Sequence, residues 1–106
     1  MVEATYVKSR KVTKLSFHLS PAELPAADVH TLSVVGSFNG WDPDAALLHR
    51  RKDGSYRASV EVEQPGCYHY RYLLNGVVWF NDGQAEGYVP NGFDSDNCTV
   101  TVPEPG

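Results

Sequence analysis

Tyr68, Tyr70, Tyr72 and Leu74 fall at every second position and run directly into Asn75-Gly76. A strand points alternate side chains to opposite faces, so these four residues share one face. His69, Arg71 and Leu73 then occupy the other face. Asn and Gly both tolerate positive φ, as a type I′ hairpin turn requires. The chain is therefore expected to reverse at Asn75-Gly76 and return through residues 77–80. That reversal places Arg71 and Trp79 on neighbouring strands. A planar cation with five donors beside a flat aromatic surface suits a polar, ring-shaped ligand such as a sugar. The alternative is a solvated Arg71 and a Trp79 packed in the core.

Other segments carry the same two-residue period. Leu15, Phe17 and Leu19 alternate with Lys14, Ser16 and His18, so the first set should face inward. Tyr56, Ala58, Val60 and Val62 alternate with Arg57, Ser59, Glu61 and Glu63. Residues 29–35 and 98–102 also have strand composition. Lys52-Asp53-Gly54 is a second hairpin signal, and Gln64-Pro65-Gly66 a turn. Pro25 limits residues 22–28 to one helical turn. Residues 83–92 lack a period and read as a loop, followed by a tight acidic turn at residues 93–97. Short strands separated by turns, with no segment of helical period, define an all-β sandwich.

At 106 residues a single domain is expected. Its expected parts are an extended arm at residues 1–10, with an edge strand near residues 5–8, then the sandwich at 11–102 and a tail at 103–106. The formal net charge of −4 argues against a nucleic-acid partner, which draws on clustered Lys and Arg. No apolar run reaches membrane-spanning length. Residues 1–4 lack the basic start of a secretory leader, so a cytoplasmic location is expected. Cys67 and Cys98 are too few for a zinc site, and two reduced, buried thiols are the expectation, although a bridge is compatible with paired strands. No nucleophile, base and oxyanion pattern is visible, and neither metal nor cofactor is expected.

The connection Gly36-Ser37-Phe38-Asn39-Gly40-Trp41 carries two aromatics on a turn-rich loop. It resembles the glycine-x-phenylalanine-asparagine-x-tryptophan signature of carbohydrate-binding module family 48. That family includes the early-set domains of isoamylases and glycogen branching enzymes, and the glycogen-binding domain of AMP-activated protein kinase beta subunits. The resemblance continues through Asp53-Gly54-Ser55-Tyr56, Gly66, the run from Tyr68 to Tyr72, Asn75-Gly76, Trp79, Asn81-Asp82 and the stretch from Asn91 to Asn97. In order and spacing it covers nearly the whole chain.

The resemblance implies an immunoglobulin-like, early-set sandwich of two antiparallel sheets. It further implies a non-catalytic surface for α-1,4-glucans, with a glycogen- or starch-metabolising enzyme or a second copy as further partners. Carried over by position, Trp41 and Trp79 would stack on glucose rings, Arg71 and Asn97 would bond sugar hydroxyls, and Phe93 would reach into the glucan helix. Three departures stand out. Trp79 lies one residue further from the hairpin glycine than in the kinase subunits, which can change its facing. Asp94 replaces a common glycine, and Arg71 a lysine. Each site residue also has a plain structural role open to it: Trp41 or Phe38 as a core plug, Arg71 in a salt bridge with Glu61 or Glu63, Asn97 as a turn cap and Phe93 as a loop anchor. An early-set interaction module with little sugar affinity is the alternative function.

Overall fold

The alternating runs form strands, and each buries the face that its apolar residues define. The structure, a computed structural model, describes residues 1–92 and 95–104. Its strands are β1 (Val2–Val7), β2 (Val12–Leu19), β3 (Leu32–Gly36), β4 (His49–Arg50), β5 (Tyr56–Val62), β6 (Gly66–Leu74), β7 (Val78–Phe80), β8 (Gly87–Pro90) and β9 (Asp96–Val102). They make two antiparallel sheets. One has the order β1-β2-β5-β4; the other runs β3-β6-β9-β8, with β7 also paired to β6.

The core lies between the sheets. Leu15, Phe17 and Leu19 from β2 meet Val34, Tyr70, Tyr72, Leu74, Cys98, Val100 and Val102 from the second sheet. Phe17 sits edge-on to Tyr70, with ring centroids 5.3 Å apart. Burying a side chain of this size contributes roughly 1.5–3 kcal/mol. Every second residue of β5 is exposed, as its charged positions require.

Asp82 is the one carboxylate buried in this interior among the described residues. It accepts hydrogen bonds from Tyr70 Oη at 3.1 Å, Tyr72 Oη at 3.4 Å and the Gln84 amide at 2.9 Å. The Met1 ammonium pairs with it at 2.7 Å. Burial, then the Asp82 charge, pushes both phenols well above the usual tyrosine range. They therefore remain hydrogen-bond donors to a carboxylate that would otherwise be costly to bury.

The structure departs from the sequence expectations at four places. The edge strand expected near residues 5–8 starts earlier: β1 pairs along its whole length with β2, from Val2 to Val7, and forms the edge of the first sheet. Residues 83–92 are not all loop, because β8 pairs with β9. Pro90 fits there because an edge strand leaves one row of backbone groups without a ladder partner. The helical turn falls at Pro21–Glu23 rather than in residues 22–28, capped where Glu23 accepts from the Ser20 amide at 2.7 Å. Cys67 is exposed and Cys98 buried, both free. Cys67 stands opposite Thr101 and Cys98 opposite Tyr70, so the two thiols lie on opposite faces of the sheet.

Candidate functional site

The β6–β7 hairpin sets the facing of its aromatic residue through one extra residue. Asn75 and Gly76 both have positive φ, 54° and 72°, and the Val77 amide donates to Leu74 O at 3.1 Å. A plain two-residue turn would place Val77 opposite Leu74 and Trp79 opposite Tyr72. Tyr72 is fully buried, so Trp79 would then enter the core. Instead Leu74 pairs with Val78 and Leu73 with Trp79. Val77 is accommodated as a one-residue bulge and stays exposed. Trp79 consequently lies on the outer face with Arg71, and is 45% exposed.

Arg71 is held in place from two sides. Its Nε donates to Asn81 Oδ1 at 2.7 Å, and its guanidinium lies 5.8 Å from the Trp79 ring centre. One terminal nitrogen reaches Ser95 Oγ at 3.5 Å. Asn81 in turn donates to Asp96 O at 2.9 Å, tying the end of β7 to β9. The salt bridge to Glu61 or Glu63 does not form. β5 and β6 belong to different sheets, and Glu61 pairs with Arg10. Among the described residues Arg71 has no carboxylate partner.

The second indole comes from the loop after β3. Gly36 approaches so closely that a Cβ there would sit 2.5 Å from His69 O and 2.8 Å from the Phe38 ring. Phe38 can therefore fold over it onto the core, 5.5 Å from Phe17 and 6.4 Å from Tyr68 between ring centres. Asn39 fixes the turn by accepting from the Gly36 amide at 3.1 Å and donating to Val34 O at 3.2 Å. Phe38 fills the plug role, and Trp41 is left 40% exposed. The Trp41 backbone is left-handed, with φ 60°. For a residue with a Cβ that conformation costs about 1–2 kcal/mol. The cost is met where the Trp41 amide donates to Gly36 O at 2.9 Å and the rest of the turn is determined.

Trp41, Arg71, Trp79 and Asn97 line one open groove of about 620 Å³ on the outer face of the second sheet, together with Asn91 and Ser95. Asn97 lies within β9 rather than before it. The Asn91 amide nitrogen donates to Ser95 Oγ at 2.9 Å and to Asn97 Oδ1 at 3.4 Å. Phe93 lies outside the described residues. Asn91 and Ser95 were not singled out in the sequence, where both read as ordinary turn formers. The lining thus offers two aromatic faces, one cation and three small polar side chains. Among the described residues no group of three or more His, Cys, Asp or Glu is placed to hold a metal. No helix is long and apolar enough to cross a membrane. Compared with protein-family models and with curated proteins, the chain matches none.

Proposed function

We propose that this domain is a non-catalytic binding module for α-1,4-glucans. One observation supports this above the rest: two half-exposed indoles share a groove with an arginine that no carboxylate neutralises among the described residues. Sugar rings present apolar C–H faces that stack on indoles, while their hydroxyls accept from a guanidinium and exchange hydrogen bonds with amides. Glucose rings would lie over Trp41 and Trp79, with Arg71 and Asn97 fixing their orientation. The family resemblance of the sequence points the same way. A shallow groove binds one chain weakly, and several modules on one polymer would gain affinity through effective concentration. A cytoplasmic location and a partnership with a glycogen- or starch-metabolising enzyme belong to the same proposal.

The exposed apolar tip Val77-Val78-Trp79 favours a second reading, an early-set module that docks a protein and has little sugar affinity. Titration with β-cyclodextrin and maltoheptaose, followed by tryptophan fluorescence, separates the two. Saturable quenching or enhancement supports the glucan reading. A flat response at millimolar sugar from folded protein overturns it.

A further inference from the structure

On the opposite side of the sandwich, the register of the first sheet sets one arginine between two histidines. His18 of β2 stands across from Arg57 of β5, and Arg57 across from His49 of β4. Paired residues on adjacent strands project side by side, about 5 Å apart. The neighbouring row places Ser16 across from Ser59. These five residues line one open concavity of about 920 Å³, along with Lys14, Arg50 and Arg51. Four of the chain's nine Lys and Arg and two of its four His therefore converge there, in a molecule of net charge −4.

Lys14, Arg50, Arg51 and Arg57 bring four permanent positive charges into the same concavity, beside two imidazoles. Among the described residues none of these six basic side chains forms an ion pair. Glu3 is the one carboxylate in the lining. Asp53 lies near enough to feel Arg57 and His18, but its main commitments are to the Ser55 hydroxyl and amide, which hold its carboxyl below the usual range. The row thus lacks a counterion of its own size.

We propose that this concavity binds a phosphate monoester carried on a hydroxylated carbon skeleton. A phosphate ester brings a charge of about −1.5 to −2 and three acceptor oxygens, enough to offset several cations at once. Arg57 donates a planar pair of N–H groups to it, and His18 and His49 donate from the flanking strands. Ser16 and Ser59 meet the hydroxyls of the skeleton. The volume falls in the range of small-molecule sites, which exceeds what an inorganic ion fills. The inference does not depend on the glucan reading, since no residue is shared between the two surfaces.

The test is an amide NMR titration of the full chain at constant ionic strength, with glucose 6-phosphate, inorganic phosphate, glucose and sodium chloride as separate probes. Saturable shifts are expected for residues 16–18, 49–51 and 57–59 with glucose 6-phosphate, weaker ones at the same residues with phosphate, and none there with glucose. Arg57→Gln and, separately, His49→Gln should each weaken glucose 6-phosphate binding about tenfold. Both are exposed, so the unfolding midpoint and the cyclodextrin titration should hold. Shifts equal to those from chloride, shifts indifferent to both substitutions, or no shifts at millimolar ligand would each overturn the proposal.

Discussion

Asn81 accepts from Arg71 Nε at 2.7 Å and donates to Asp96 O at 2.9 Å, so a single amide holds the groove's cation and anchors it to the neighbouring strand. Asn81→Ala should free the guanidinium without removing it. Affinity for β-cyclodextrin is expected to fall about tenfold, the loss of one oriented charged contact. Calorimetric titration would show it. An unchanged affinity would mean that Arg71 needs no such support.

Trp79 is a direct test of exposure against burial. With nearly half its surface in solvent, Trp79→Ala should abolish glucan binding and cost about 1 kcal/mol or less in stability. Sugar titration and urea denaturation on the same sample measure both. A loss of several kcal/mol would place the indole in the core.

Deleting Val77 should do what no substitution there can. The bulge disappears, the register moves by one, and Trp79 is driven toward the Tyr72 face. Binding should be lost and the fold destabilised, with tryptophan emission altered. Val77→Ala keeps the residue count, so both binding and stability should stay near those of the parent protein.

Gly36→Ala tests the close approach beneath the aromatic loop. The new methyl meets a backbone carbonyl as well as the Phe38 ring, and backbone cannot swing aside. A cost of about 1–3 kcal/mol is expected from the overpacking. Denaturant midpoints would report it, and Trp41 should lose its position with the loop.

Alkaline pH should unfold the domain through its interior phenols. Tyr70 and Tyr72 titrate well above the ordinary range in the folded state, chiefly because they are buried. An unfolded tyrosine ionises near about pH 10. Below that value both states hold the phenolic protons and these two residues cost no stability. Above it the unfolded chain releases protons that the folded chain keeps, so stability falls by about 1.4 kcal/mol per pH unit for each residue. The buried Cys98 thiol, also raised by burial, starts the same decline from about pH 8.5. Urea midpoints against pH should show the fall, and Tyr72→Phe should make it shallower above pH 10.

Much of this architecture could be read from spacing. Leu15, Phe17 and Leu19, and Tyr70, Tyr72 and Leu74, are buried where their two-residue period puts them, because one face of each sheet meets the core. The expectation of a buried Cys67 went against this same parity, which puts it with His69 and Arg71 on the exposed outer face. β8 was not legible, since Gly87 and Pro90 interrupt any period and its pairing is by backbone. Within the groove, Arg71 and Trp79 came together as the hairpin implied. The decisive detail, the bulge at Val77, depends on register rather than composition. Asn91 and Ser95 were missed because turn chemistry and ligand chemistry use the same small polar residues. The left-handed Trp41 goes against its intrinsic backbone preference, and only the surrounding turn determines it.

The segment after the Trp41 loop links the two layers. The Val34 amide donates to Ala46 O at 3.0 Å and the Leu48 amide to Leu32 O at 2.7 Å, and the next two residues are β4, paired to β5 in the opposite sheet. Five successive residues therefore clasp both layers with main-chain bonds. The sheets cannot slide apart until that clasp peels. Its release should be an early barrier when the domain is pulled or heated.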